Sequence, residues 1–183
     1  MFSFCPSCAS KNISFKERKV FHCPDCNFVY YHNVAAATGC LISVPSATEK
    51  KIVFLVRGKE PGIGKLDLPG GFVDVGEGVF EGLYRELREE IGWVPEIQTD
   101  QDLTDVFKLF ASYSNVYAYK GVDYNTCDMY FYVSAPDLKP EDIKLEYAEI
   151  SDVVFLKPEE IDFDKLAFES TKRAVKAWIQ INC

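Results

Sequence analysis

The stretch Gly71–Trp93, GFVDVGEGVFEGLYRELREEIGW, decides how the rest of the chain is read. It is entered through Leu68-Pro69-Gly70. The paired glycines Gly70 and Gly71 permit a tight turn in which backbone carbonyls approach a ligand with no Cβ between them. A helix is expected over residues 79–91, because at 100° per residue Phe80, Leu83, Tyr84, Leu87 and Ile91 fall within about a 100° arc, the width of a core-facing stripe. Glu86, Glu89 and Glu90, related by i+3 and i+4 spacing, then emerge on a neighbouring face within one turn of each other. Three adjacent anions repel, so their pKa values rise or a cation sits among them, and hard oxygen ligands of this kind suit Mg²⁺ or Mn²⁺. The alternative is a solvated acidic face. Such a face mixes Lys with Glu at i,i+4, whereas Arg85 and Arg88 are expected to point away from the three carboxylates.

This segment resembles the Nudix box: Gly, five residues, Glu, seven residues, then Arg-Glu-aliphatic-x-Glu-Glu-x-Gly-aliphatic. Gly71, Glu77, Arg85, Glu86, Leu87, Glu89, Glu90 and Gly92 occupy its positions, and Trp93 stands where an aliphatic residue is usual. The preceding VFLVRGKEPGIGKLDLPGGFVD, residues 53–74, is similar to the strand, arginine and loop that lead into the box. The resemblance spans about residues 34–180 and implies hydrolysis of a nucleoside diphosphate linked to another group. It implies divalent metal on Glu86, Glu89 and Glu90 with the carbonyl of Gly70 or Gly71, and a Glu77–Arg85 pair that braces loop against helix. The base is then either Glu86 or an acid on a later loop. Glu149, in LEYAEISDVVFL, fits the second option, with Glu146 three residues earlier; both also read as ordinary loop acids.

A second constellation lies at the amino end, where Cys5-Pro-Ser-Cys8 is followed after fourteen residues by Cys23-Pro-Asp-Cys26. Two thiolates two residues apart converge from one tight turn, and two such knuckles supply the four sulfurs of a tetrahedral Zn²⁺ site. Disulfides and redox chemistry compete with this reading, but the layout around KNISFKERKVF is that of a zinc ribbon. Ribbons usually place Gly after each second Cys, where a left-handed turn is needed; here Ala9 and Asn27 stand there, and Ala tolerates that conformation poorly, so a distorted first knuckle is expected. Cys40, Cys127 and Cys183 form no pattern and read as free thiols, which with no signal peptide or long apolar segment points to a reducing cytoplasm.

A chain of 183 residues that is 48% hydrophobic can bury a full core, whereas thirty residues of ribbon need their metal. The boundaries are therefore 1–34 for the ribbon and 35–183 for the catalytic domain. The first part holds four Lys or Arg against two acids and the second sixteen against twenty-six, for a net charge of −8. Nucleic acid is not the expected partner of so acidic a protein, although Lys11, Lys16, Arg18 and Lys19 could touch a phosphate backbone. No membrane association is expected, and a homodimer is left open. Strands are expected near 35–44, 51–57, 72–74, 103–112, 115–120, 128–134 and 152–156, with a final helix beginning near Phe163 or Phe168. Mixed strands with two covering helices give an α/β/α sandwich, which the resemblance also implies.

Ribbon followed by Nudix domain is the layout of NADH pyrophosphatase-like members, but residues 94–127 hold one proline and no tryptophan, unlike the Ser-Gln-Pro-Trp-Pro-Phe-Pro segment of that group. A nucleotide sugar such as ADP-ribose is the first substrate expectation, NADH the second. A sensing module without turnover and a ribbon-based interaction protein are the competing classes. Among substrate contacts, Arg57 is a candidate for phosphate. Phe110 and Tyr113, with Tyr117 and Tyr119, are candidates for stacking on a base or for cross-strand core pairs.

Overall fold

The computed structural model describes residues 2–17, 19–97 and 102–182. Arg18 and Cys183 lie outside the described residues. The chain divides into two compact units, Met1–Val34 and Ala35–Cys183.

In the first unit, β1 (Ser14–Lys16), β2 (Val20–His22) and β3 (Val29–Tyr31) form an antiparallel sheet in that order. Its interior is Cys5, Phe21 and Cys23, with Ile13, Phe15 and Phe28 packed against them. The two knuckles close alike: the Cys5 amide donates to the Ser10 carbonyl at 2.8 Å and the Cys23 amide to the Phe28 carbonyl at 2.9 Å. Ala9 and Asn27 take the same left-handed conformation, φ 60° and 58°, so the first knuckle is not distorted. Ala9 instead bears the steric cost of a Cβ at positive φ, about 1–2 kcal/mol.

The second unit is built on a mixed six-stranded sheet. Its strands are β4 (Ala35–Pro45), β5 (Lys50–Arg57), β6 (Leu66–Asp67), β7 (Lys108–Tyr119), β8 (Val122–Ser134) and β9 (Ile150–Leu156). They run in the order β6-β5-β4-β8-β7, with β9 also paired to β5. The β4–β8 pair is parallel and the other ladders are antiparallel. Successive residues in the central strands serve opposite cores, because a strand's side chains alternate between faces. Ile42, Val53, Leu55 and Phe131 pack on one side with Leu83, Leu87 and Ile91. Leu41, Ile52, Phe54 and Tyr130 pack on the other with Ala174, Val175 and Trp178. The first group comes from α1 (Val79–Ile91) and the second from α3 (Glu169–Asn182), which makes the unit an α/β/α sandwich. Helix α1 stops at Gly92, in the left-handed conformation at φ 61°.

Four elements differ from the sequence-based expectation. Residues 103–106 begin no strand but form a short helix, α2 (Leu103–Val106), because the Asp102 side chain accepts the Thr104 amide and caps it. Strand β7 runs unbroken through Ser114 and Asn115, whose partners Cys127 and Thr126 lie in a β8 that starts six residues earlier than expected. Residues 72–74 contribute one isolated bridge, Ala37 to Phe72, rather than a ladder. Phe163–Lys165 is a separate 3-10 turn, and α3 starts after Phe168. Among the described residues no helix is long and apolar enough to cross a membrane.

Candidate functional site

The Pro69-Gly70-Gly71 turn runs against β4 on one side and α1 on the other, and at Gly70 only glycine fits. Gly70 sits at φ 139°, where a Cβ would lie 2.3 Å from the Thr38 carbonyl oxygen. A Cβ on Gly71 would come within 2.6 Å of Glu86 Oε1. The turn is fixed by the Thr38 amide donating to the Gly71 carbonyl and the Cys40 amide to the Pro69 carbonyl, at 2.8 and 2.7 Å. The Gly70 amide donates to Glu90 Oε2 at 2.8 Å. Glu86 and Glu90 therefore press on the turn, one on each glycine, while the Glu89 side chain is half exposed.

Arg85 holds this arrangement together. Its Nε and Nη2 donate to the two oxygens of Glu77 at 2.7 and 3.0 Å, a bidentate pair, and Nη2 also donates to the Phe72 carbonyl at 3.0 Å. Its Nη1 reaches Glu86 Oε1 at 2.9 Å and Glu89 Oε2 at 3.1 Å. The expectation that Arg85 points away from the carboxylates is thus corrected. The fork is oriented by Glu77, and that orientation directs the remaining nitrogen at Glu86 and Glu89.

Burial pushes the Glu90 carboxyl up to about 8, against the Gly70 amide and with help from the charge on Glu86. Burial also raises Glu86, opposed by Arg85 and reinforced by Glu89 and Glu149. The hydrogen bonds from Arg85 lower Glu77. Hard oxygen donors whose anionic forms are disfavoured by burial fit Mg²⁺ or Mn²⁺, which would offset that cost. The Gly71 carbonyl accepts the Thr38 amide at 2.8 Å and, more weakly, Thr38 Oγ1 at 3.4 Å.

This has a consequence for stability. A carboxyl raised in the folded state binds more protons there than when unfolded, so the contribution of Glu90 to metal-free stability is fully present below the unfolded value of 4.5 and is lost as pH rises through about 8. The slope is at most about 1.4 kcal/mol per pH unit for one group. Melting temperatures measured across that window should fall with pH in chelator and level off in Mg²⁺. A chelated protein that melts at one temperature throughout would contradict the burial of Glu90.

The loop after residue 144 overhangs the carboxylates. The Glu146 amide donates to the Glu90 carbonyl at 3.0 Å, and the Gly58 amide to the Glu149 carbonyl at 2.7 Å. The Glu149 side chain is paired with Lys59. Together the turn, Glu86, Glu89, Glu90, Glu146 and Glu149 wall one end of a cavity of about 540 Å³.

The other expected contacts distribute unevenly. Arg57 lines the cavity, but its Nε donates to the Pro61 carbonyl at 2.7 Å and its Nη1 to Asp67 at 3.1 Å. The same guanidinium lies over the Phe168 ring at 5.0 Å. Two of its nitrogens are thus engaged within the chain while the side chain still lines the cavity. Phe110 and Tyr113 do not line the cavity: both pack into the α3-side core, and Arg173 covers Tyr113 at 4.0 Å. Tyr117 lines it instead, with Phe72 and Phe168. Sequence reasoning missed Lys59, Asp67, Thr126 and Asp128; the one local signal was a charged Asp128 in the apolar run DMYFYV.

In the first unit the Cys5 and Cys26 sulfurs are 3.6 Å apart and those of Cys8 and Cys23 are 3.7 Å apart. All four lie within 4.8 Å of one another, and among the described residues this is the group of metal-ligating side chains drawn so close. A disulfide needs about 2.05 Å. The edge of a tetrahedron with Zn–S bonds of about 2.3 Å is roughly 3.8 Å, so the spacing fits that ion.

A family model described as NUDIX domain matches residues 35–179, and the chain belongs to the Nudix family. An ADP-ribose pyrophosphatase of Methanocaldococcus jannaschii is 35% identical over 71 residues, a match spanning 39% of this chain and 39% of that protein. The chain also resembles a NUDIX hydrolase from Nitrosomonas europaea, with TM-score 0.65 and 22% identity over 99% of this chain and 92% of that one. The NUDIX domain of Shewanella oneidensis NrtR, solved with ADP ribose, gives TM-score 0.65 at 15% identity over 87% and 93% of the two chains. Both likenesses are of fold.

Proposed function

We propose that this protein is a Mg²⁺- or Mn²⁺-dependent pyrophosphohydrolase. It acts on a nucleoside diphosphate linked to another group, with ADP-ribose or another nucleotide sugar preferred over NADH. The observation that carries this reading is the set of carboxylates Glu86, Glu89, Glu90, Glu146 and Glu149 gathered around one end of the cavity beside the Gly70–Gly71 turn. The relative named for ADP-ribose pyrophosphatase supports the substrate choice.

In this reading Glu86, Glu89 and Glu90 hold the ion, with the Gly71 carbonyl. When bound, a divalent ion neutralises diphosphate charge and lowers the pKa of water. With an ion held there, Glu86 and Glu89 would exchange Arg85 Nη1 for it, while the bidentate hold on Glu77 keeps loop and helix in register. Glu149 then serves as base. Glu86 would be taken up by the ion, whereas Glu149 lines the cavity on one exchangeable contact to Lys59. Its carboxylate takes a proton from water as the water oxygen bonds to phosphorus. The bridging P–O bond breaks, its electrons stay on the departing phosphate, and two phosphomonoesters leave. The first unit is read as a zinc ribbon, residues 1–34, held by Cys5, Cys8, Cys23 and Cys26, before a hydrolase domain at 35–183. Thiols at Cys40 and Cys127 suit a reducing cytoplasm.

The test is a product assay with ADP-ribose, a uridine diphosphate sugar, NADH and a diadenosine polyphosphate. Mg²⁺-dependent release of AMP and ribose 5-phosphate from ADP-ribose, ahead of cleavage of the others, is expected. If all four stay intact in both Mg²⁺ and Mn²⁺, the chain is a binding module and the hydrolase reading is wrong.

A further inference from the structure

The end of the cavity away from the carboxylates of α1 has a different chemistry. Small residues of β4, Ala37 and Gly39, line it, and the Tyr130 ring packs over Gly39, 2.9 Å from where a Cβ would stand. Beside them, Asp128 is only 8% exposed yet lines the cavity. Thr126 Oγ1 donates to its Oδ1 at 2.5 Å and Ser170 Oγ to its Oδ2 at 2.6 Å. A carboxylate has about four acceptor positions, two on each oxygen. One position on each oxygen is filled, leaving one on each.

Two parallel acceptors call for two adjacent donors. Aromatic rings wall the space: Phe72 and Tyr117 meet edge to face at 5.4 Å, and Tyr117 lies 5.7 Å from Phe168. Rings of this kind take the C–H face of a sugar. The guanidinium that lines the cavity, Arg57, is already paired with Asp67, so this end repels a further phosphate. Asp128 pairs across β8–β4 with Ala37, and Ala37 bridges Phe72 beside the Gly-Gly turn. Two strand spacings, about 10 Å, therefore separate it from the diphosphate end, the length scale of a phosphoribosyl unit.

The geometry points to Asp128 as the receptor for a vicinal diol, the 2′- and 3′-hydroxyls of a ribose attached to the diphosphate. This deepens the hydrolase reading, since it rests on the diphosphate lying at Glu86–Glu90. It makes the site selective for unmodified ribose over 2′-deoxy and 2′-phosphorylated forms. Merely anchoring α3 through Ser170 would give no such selectivity.

The test is equilibrium binding in Mg²⁺ of the α,β-methylene analogue of ADP-ribose, in which the bridge cannot be hydrolysed, to the full chain. Two further arms use the analogue lacking the 2′-hydroxyl on the adenosine ribose and the one lacking it on the terminal ribose. One of the two should bind at least about tenfold more weakly than the parent, the loss of one charge-assisted hydrogen bond; which one identifies the ribose. In Asp128→Asn the discrimination should shrink to about twofold, while Ser170→Ala, which loosens α3 without removing the carboxylate, should keep it. If Asp128→Asn folds poorly, Asp128→Glu retains charge but displaces the carboxylate, and the same collapse is expected. Equal binding of all three analogues, or discrimination that persists without Asp128, overturns the assignment. Binding is read without turnover, so a protein that prefers the diol but cleaves nothing refutes the hydrolase alone. One that cleaves ADP-ribose but ignores the diol refutes Asp128 alone.

Discussion

Glu90→Gln and Glu89→Gln are each expected to lower turnover of the preferred nucleotide by about three orders of magnitude. Losing a group that merely orients a metal ligand costs about 10–100-fold, and losing the ligand itself costs more. The fold should survive both changes. Gln at position 90 keeps an oxygen to accept the Gly70 amide, and at position 89 the side chain is half exposed and supports no core. In Glu90→Gln a neutral amide replaces a carboxyl that burial already disfavours as an anion, so metal-free melting should be unchanged or higher. Steady-state kinetics beside calorimetry checks this; near-normal turnover in either variant would remove these residues from the metal site.

Cys23→Ser should have the largest structural effect. The cysteine is fully buried, and among the described residues Phe21 is the one large apolar side chain fully buried in its unit. So small an interior cannot hold 34 residues, whereas a structural Zn²⁺ contributes about 10–16 kcal/mol. The wild type should carry one zinc per chain. In the variant, metal analysis should find none, and amide protection should disappear from residues 1–34 while the second unit melts as before. Wild-type protein that purifies without zinc would end the ribbon reading.

The features legible in the sequence are those set by short-range geometry. The spacing of Glu86, Glu89 and Glu90 on one helix face follows from 3.6 residues per turn, and the alternation of Leu41/Ile42 and Tyr130/Phe131 between two cores follows from the two-residue strand period. What escaped depends on contacts distant in sequence or on single capping bonds. Asp128 acquires its meaning only when Ser170 arrives from α3. Tyr113 and Tyr117 share a face of β7, but α3 covers the first through Arg173 while the second reaches the cavity. A register shift between Leu109 and Ala111 leaves Phe110 as the extra residue, which no period-two count could place. The α2 turn reads as strand in the sequence because its apolar residues are β-compatible, and a single capping bond from Asp102 turns it to helix.

The grip of Arg85 Nη1 on Glu86 and Glu89 means that the resting centre already holds one positive partner of its own. In the proposed reading, an ion held by these carboxylates would replace one positive partner with another, so its occupancy would follow the ambient supply. The guanidinium would then act as a placeholder, keeping the two side chains aligned when no ion is there.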